Sequence, residues 1–459
     1  MTEPHPSPPE VQGTRGSRRF ALGLLVIVVV ALGVRVAFTL LVDPQVPEVS
    51  DAAAYHMLGE NLAEGRGFIR PFDRTILGEI RPTAEYPPLL PAVLALAHLV
   101  GIASVDGQQL VLCVVGTATV AVIGLLGRRV GGDLVGLVAA GVAAVYPMLF
   151  QSDAILMPET PFALLVATTL LFAHRAAERR GLDDIALVGV TAGLAALTRA
   201  EGLLLVLFLV IPLSARVADL SWRRRATLCL VGLVAAALVV VPWTVRNAVR
   251  FDGALVPVSN NMGTALDGAN CDRTYHGSQT GLWLYDCFGG FDLSEQDEAE
   301  AAAFHRDRGL RYVADNLGRL PTVLAIRQGR TWGLYDVGQQ VTVESFEGRD
   351  RRWQEVGTRT YWLLVPFAVG GIIVLRRRRA LMWPMLSTVV LVVVTTTVTY
   401  GNQRFRVAAE PAIVVLAATG AVALIDEARR RTGGRSRTEA APVRSAAAPG
   451  GSAPSPPGR

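Results

Sequence analysis

The side chains equipped for chemistry are carboxylates and arginines set in polar gaps between long apolar runs. The first gap holds Asp51 and Tyr55, in Ser50-Asp51-Ala-Ala-Ala-Tyr55, one turn apart if the segment is helical. A carboxylate against an apolar wall can serve as a general base near neutral pH, because desolvation strengthens its hold on a proton. The plainer role is a cap, with Ser50 or Asp51 opening a helix that runs to about Glu64 and ends at Gly65. Cap and base are compatible. Glu85 and Tyr86 stand before Pro87-Pro88 in the same gap, and Asp153 and Glu159 open a later helix. Carboxylates there gain about 0.3–1 kcal/mol from the helix dipole, so their position alone does not make them reactive. No cofactor is assigned. Two separated acidic clusters leave open a divalent metal or the positioning of an acceptor hydroxyl.

The arginines are the second set. Arg199 and Glu201 join two short apolar segments, where an arginine near the membrane pairs, reaches for headgroups, or binds a phosphate through its charged fork. Arg246, Arg404 and Arg406 also sit at ends of apolar runs where no other arginine cluster lies. Basic residues there need an anionic partner, and a lipid phosphate is the economical one. Cys271 and Cys287 share a polar stretch and are a disulfide candidate if it faces an oxidising compartment. Cys113 and Cys229 lie in apolar runs and read as packing residues.

The elements that position these groups are membrane helices. With 51% hydrophobic and 18% charged residues and a mean hydropathy of +0.38, the 459-residue chain is too apolar for a soluble domain of its length. It reads as an all-α polytopic membrane protein. Every basic side chain among the 44 is arginine, and the net charge of +5 needs no nucleic acid to explain it. Residues 20–42 form a first, uncleaved span, and residues 1–19 a disordered cytoplasmic tail. Residues 89–103 decide the topology, because they are apolar but short of the roughly twenty residues a span needs. Counting them as a span would place the arginines of 128–129, 175–180, 223–225, 376–379 and 429–431 outside. An interfacial helix puts them all inside.

Spans are then expected at 110–127, 134–150, 155–172, 185–197, 203–213, 226–245, 361–375, 381–399 and 407–425, about ten with the first. Both termini face the cytoplasm. A long first external loop (42–109) and a second external region (246–360) collect the unusual polar residues, while residues 426–459 form a second disordered tail. Within 246–360, Ser294 is the expected cap of a helix to Leu317, and residues 321–332 form an interfacial helix. The external region is expected to fold against the bundle.

The chain resembles the GT-C superfamily of polyprenyl-phosphate-sugar-dependent glycosyltransferases, in particular bacterial proteins similar to protein O-mannosyltransferases and aminoarabinose transferases. The resemblance rests on Ser50-Asp51-Ala-Ala-Ala-Tyr55, Tyr86-Pro-Pro-Leu-Leu-Pro91, Leu197-Thr-Arg199-Ala-Glu201-Gly202, Pro242-Trp-Thr-Val-Arg246-Asn247 and Arg404-Phe-Arg406 with Glu410-Pro411. It implies that Asp51 is the catalytic carboxylate, that Asp153, beside the site in the second external loop, is a second catalytic residue, and that Arg199, Arg404 and Arg406 face the donor phosphate. Tyr55, Glu85, Tyr86, Glu159, Glu201 and Arg246 would hold the acceptor or shape the site. The expected partners are a polyprenyl-phosphate-linked sugar, a protein, glycan or glycolipid acceptor, and membrane lipid, with the site on the external face of the cell membrane and inversion at the sugar. One departure stands out: no tight Asp-x-Asp pair follows Asp153, so the pattern does not require a metal. A transporter or flippase of a lipid-linked or anionic substrate is the alternative, but it predicts mid-membrane polar sites and paired repeats, whereas these residues gather on one side.

Overall fold

In a computed structural model, residues 11–42, 44–215, 220–288 and 297–438 are described. Helix α1 (Val11–Val42) leads into the first polar segment, which holds α2 (Asp51–Ala63), α3 (Pro71–Leu77) and α4 (Leu89–Leu99). The bundle continues with α5 (Val105–Gly131), α6 (Asp133–Val145), the single turn α7 (Pro147–Phe150), α8 (Glu159–Arg179) and α9 (Leu182–Ala196). Next come α10 (Leu203–Leu205), a π-helical turn at Val206–Val210, α11 (Ile211–Ala215) and the long α12 (Trp222–Arg250). A polar lobe follows, with α13 (Met262–Ala269), α14 (Asp272–Tyr275), α15 (Glu298–Asp315), α16 (Leu320–Thr331) and α17 (Val337–Ser345). Helices α18 (Arg351–Arg377), α19 (Trp383–Val398) and α20 (Glu410–Thr438) complete the bundle. No strand occurs among the described residues beyond an isolated Ile69–Pro82 bridge.

This is a multi-pass membrane architecture. All the expected apolar segments are helical, but only six helices are long and apolar enough to cross alone. A seventh is α6 joined to Pro147–Ala154 through a 59° bend. The bend has a local cause: Pro147 lacks an amide hydrogen and starts a new helix instead of continuing α6. The 15 residues of α9 and 16 of α19 give about 22–24 Å at about 1.5 Å per residue, less than the roughly 30 Å hydrocarbon core, yet both run from the arginine-rich end of the bundle to the end that carries Arg199 and Arg404. Their apolar faces pack on neighbouring helices.

Other boundaries move as well. Helix α1 begins at Val11, inside the expected N-terminal tail, and α20 runs to Thr438, inside the expected C-terminal one. Extending a helix costs far less than nucleating one, so a helix formed in the membrane propagates past its edge. Residues 1–10 and 439–459 lie outside the described residues, as does the expected cap Ser294. The described start of α15 is capped by Asp297, whose carboxylate accepts from the Ala299 amide. Helix α4, with 11 residues, is too short to cross, and Leu96, Leu99 and Val100 are left exposed on it.

Small residues set the tightest packing. A Cβ on Gly371 would lie 2.0 Å from the Leu416 carbonyl, and one on Gly420 would lie 2.1 Å from that of Phe367. Backbones of α18 and α20 therefore touch directly, the usual way to gain dispersion contacts where lipid removes the hydrophobic drive. The polar segments meet at one end of the bundle, as the Leu89 amide to Leu197 carbonyl and Asn260 amide to Ala84 carbonyl bonds show. Arginine-rich ends of α5, α8 and α18 lie at the opposite end of those helices.

Candidate active site

Asp51 occupies the first turn of α2, where the Ser50 hydroxyl accepts from the Ala53 amide and donates to the Pro47 carbonyl. The cap fixes the direction in which the helix starts and so where Asp51 points. Tyr86, held at the mouth of α4 by Pro87-Pro88, donates its hydroxyl to Asp51 Oδ1 at 3.2 Å. Its ring meets the edge of Tyr55 with centroids 5.0 Å apart. Burial, then the neighbouring Glu85 and Asp51 charges, push the Tyr86 phenol well above its ordinary value, so it stays a donor.

Arg199 and Arg404 converge from the far side. Arg199 stands at the break between α9 and the 3-10 turn Ala200–Gly202, and Arg404 lies in the 3-10 segment Gln403–Ala408. That segment is held by a buried amide ladder: Gln151 donates to Gln354 at 2.7 Å, and Gln354 to Gln403 at 3.2 Å. One carboxylate oxygen of Glu159, on the first turn of α8, accepts from Arg199 Nη1 at 2.7 Å and Arg404 Nε at 2.8 Å. A fully buried carboxylate thus holds two guanidiniums side by side. Charges so placed are tolerable only because they are paired. Arg199 also binds Glu201 at 2.5 Å, and Arg404 Nη1 extends to Asp51 Oδ2 at 3.6 Å and Glu347 Oε1 at 3.4 Å. The Asp51 side chain is 37% exposed and Arg404 9% exposed, so the carboxylate is the open member of the set.

A cavity of about 460 Å³ brings six of the expected residues together: Asp51, Tyr55, Tyr86, Arg199, Glu201 and Arg404. Its polar end is this charged group with Tyr400, and its apolar end is formed by Leu203 and Leu204 with Val394 and Val398. The two short helices α10 and α19 supply those apolar walls. Glu159 supports the cavity from behind.

Other expected residues lie elsewhere. Asp153 is buried, paired with Arg35 of α1 at 2.8 Å and accepting from the Thr160 hydroxyl at 2.7 Å. Its carboxylate fills the space against Gly116, where a Cβ would come within 2.1 Å of it. Arg406 points into the bundle, pairing with Glu410 at 2.6 Å beneath the Tyr361 ring, so it does not face the cavity. The alternation along Arg404-Phe-Arg406 sends the two guanidiniums to different partners. Arg246 staples the first polar segment to α12 by donating to the carbonyls of Thr83 at 2.6 Å and Phe68 at 2.7 Å. Glu85 is half-buried outside the cavity wall, and burial, then the facing Glu298, push it up to about 8. Cys271 and Cys287 are bonded, with Cα atoms 6.0 Å apart. Among the described residues no group of three or more His, Cys, Asp or Glu side chains is arranged to hold a metal ion.

Sequence reasoning overlooked Arg35, Glu347 and Tyr400. A lone arginine within the apolar run of residues 20–42 was a legible signal, because it demands a buried carboxylate. Glu347 gave less warning, in a polar run of mixed charge just before α18.

Residues 85–245 match the family model described as dolichyl-phosphate-mannose-protein mannosyltransferase. No curated protein matches the chain by sequence. The fold resembles the apo crystal structure of the oligosaccharyltransferase of Archaeoglobus fulgidus, with a TM-score of 0.52 at 14% identity over 92% of this chain and 53% of that one. The same organism's AglB, in complex with an inhibitory peptide and a dolichol-phosphate, gives a TM-score of 0.50 at 13% identity, over 93% and 52% of the two chains. ArnT from Cupriavidus metallidurans bound to undecaprenyl phosphate aligns with a TM-score of 0.48 at 15% identity, over 88% and 59%. The chain thus spans about half the length of the oligosaccharyltransferases it matches. Among the described residues it is a helical, multi-pass membrane protein that shares the fold of the Archaeoglobus fulgidus oligosaccharyltransferase, and over residues 85–245 it is similar in sequence to the family described as dolichyl-phosphate-mannose-protein mannosyltransferase.

Proposed function

We propose that this protein is a membrane glycosyltransferase that moves a sugar from a polyprenyl-phosphate donor to an acceptor hydroxyl on the outer face of the membrane. One observation carries the reading: a single cavity joins an open carboxylate and two guanidiniums at one end to aliphatic walls from two short membrane helices at the other. A lipid phosphate has that polarity, an anion on a hydrocarbon chain. Arg199 and Arg404 meet the phosphate, and the chain lies along the aliphatic wall that α10 and α19 form. Dolichol-phosphate bound to AglB is a ligand of the same kind. Asp51 faces the sugar and the acceptor.

In the reaction, Asp51 takes the proton of the acceptor hydroxyl as its oxygen attacks the anomeric carbon. The bond from that carbon to the phosphate oxygen breaks, and the electron pair leaves with the phosphate. Attack opposite the leaving group inverts the anomeric centre. Arg199 and Arg404 stabilise the charge that grows on the phosphate, and Glu159 keeps them in place without reorganisation as the charge develops. Tyr86 aims the Asp51 carboxylate through Oδ1 and leaves Oδ2 toward Arg404. With both termini cytoplasmic, as the arginine distribution implies, the cavity faces outward.

The test is to incubate membranes containing the chain with a panel of polyprenyl-phosphate sugars and analyse the products. Transfer by the parent chain and its loss in Asp51→Asn are expected. A parent chain that transfers none of these sugars, to added or endogenous acceptors, would sink the reading.

A further inference from the structure

Arg404 is shared by more carboxylates than it can neutralise. Its Nε is held by Glu159, while Nη1 lies between Asp51 Oδ2 at 3.6 Å and Glu347 Oε1 at 3.4 Å. Glu201 adds a fourth carboxylate through Arg199. Four carboxylates therefore surround two guanidiniums, which is a poor receptor for an anion. The nearby Glu344 does not alter the balance, because it pairs with Arg349 at 3.2 Å.

Glu347 differs from the other three in its place. Glu159 is fully buried beneath both arginines, Glu201 is tied to Arg199, and Asp51 is fixed by Tyr86. Glu347 sits on the link between α17 and α18, with its side chain 31% exposed and the neighbouring Phe346 73% exposed. Gly348 follows with φ +86°, and a Cβ there would come within 3.1 Å of the Gln45 carbonyl. The link therefore packs against the segment leading to Asp51 and carries its carboxylate to the water-accessible side of Arg404.

We propose that Glu347 is a displaceable counter-ion on Arg404: its carboxylate holds the guanidinium and yields it, as the neutral acid, to an anionic phosphate entering beside Asp51. This rests on the donor-binding reading above. The groups facing Glu347 fit such an exchange. Arg404 comes from the 403–408 segment, Asp51 from the start of α2, Glu159 from α8 and Glu344 from its own helix end. Burial is the largest influence and raises Glu347, Arg404 opposes it, and the three carboxylates add to it, leaving Glu347 at about 7. Ligand binding that favours the neutral acid must take up a proton, so affinity falls as pH rises through that value. Between pH 6 and 8 one such proton changes affinity by about tenfold at most.

The experiment uses the full chain in lipid nanodiscs and undecaprenyl phosphate as the probe, titrated at pH 6 and pH 8 by tryptophan fluorescence. The probe's own phosphate also titrates in this range, so the parent and variants are compared as ratios. The parent is expected to lose affinity between the two pH values three- to tenfold more steeply than Glu347→Gln, and Glu347→Asp is expected to keep the steep fall. At pH 8, Glu347→Gln binds more tightly than the parent. Equal pH ratios in the parent and Glu347→Gln overturn this inference alone, as does a flat response in the parent. No binding by the parent at either pH overturns both it and the donor-binding reading. If Glu347→Gln does not fold, Glu347→Ala takes its place: a pH ratio equal to the parent's overturns the inference, and a shallower fall than the parent's supports it.

Discussion

The guanidinium of Arg404 reaches the carboxylate of Asp51, Nη1 to Oδ2 at 3.6 Å, and so joins the first polar gap of the chain to its last. The contact is long for an ion pair and leaves Asp51 half open, with its other oxygen on Tyr86. A base needs that arrangement: oriented, yet free to take a proton. Asp51→Asn preserves shape and hydrogen bonding but removes the base. Its transfer rate is expected to fall by about 10²–10⁴-fold, the usual contribution of general-base catalysis. Binding of undecaprenyl phosphate should persist, because both arginines remain. Loss of binding together with rate would show that Asp51 organises the site and does not act on the acceptor.

Glu159 is the counter-charge for both arginines, and it is buried with them. Glu159→Gln removes the one carboxylate that bridges both guanidiniums, leaving Glu201 on Arg199 and the longer contacts of Arg404 to Asp51 and Glu347. Removing one partner of a buried ion pair typically costs about 3–5 kcal/mol. The melting temperature in detergent should therefore drop by several degrees, and added polyprenyl phosphate should recover part of the loss by supplying an anion. A variant as stable as the parent without ligand would mean that Glu159 does not hold the pair.

Asp153 is read here as part of the scaffold. It neutralises Arg35 inside the bundle, behind the cavity wall. Asp153→Asn alone leaves Arg35 buried and unpaired, and about 3–5 kcal/mol should be lost. Replacing both by leucine removes both desolvation costs, and such swaps are often neutral or stabilising. The double variant is expected to regain the parental melting temperature and to keep transferring sugar. If it is stable but inactive, Asp153 belongs to the chemistry.

Glu85 makes stability pH-dependent. Burial, then Glu298, raise it to about 8, above the ordinary value near 4.5. The folded state therefore favours the neutral acid, and its stabilisation is complete below about pH 4.5 and is lost as pH rises through 8. In the parent, melting temperature should decline between pH 5 and pH 8. Glu85→Gln, which cannot ionise, should flatten that decline. An unchanged slope would place the titrating group elsewhere.

Much of this architecture was written in the amino-acid sequence, and the exceptions have physical causes. Apolar runs and arginine clusters mark the helices and their ends, because lipid permits few other patterns. Ser50 and Gly65 delimit α2 through local backbone chemistry, which sequence carries well. The convergence of Asp51, Arg199 and Arg404 was legible only through the family resemblance, since nothing local links residues in three distant segments. Arg406 shows the limit. It shares its neighbour's charge and position, but packing beneath Tyr361 turned it to Glu410. Glu347 shows another, because its importance comes from how the α17–α18 link folds over the site.

The aliphatic end of the cavity offers a test independent of the charged residues. Leu203 on α10 and Val398 at the end of α19 both line this aliphatic end. If a polyprenyl chain lies there, Leu203→Trp or Val398→Trp fills its path while leaving Asp51, Arg199 and Arg404 in place. The Km for a long-chain donor should rise at least tenfold, the equivalent of about 1.4 kcal/mol of lost binding. A donor with a short, water-soluble chain should be affected far less, because its phosphate and sugar still reach the polar end. Equal losses with both donors would mean that the tryptophan distorts the polar end, and no loss with either would put the lipid chain outside this groove.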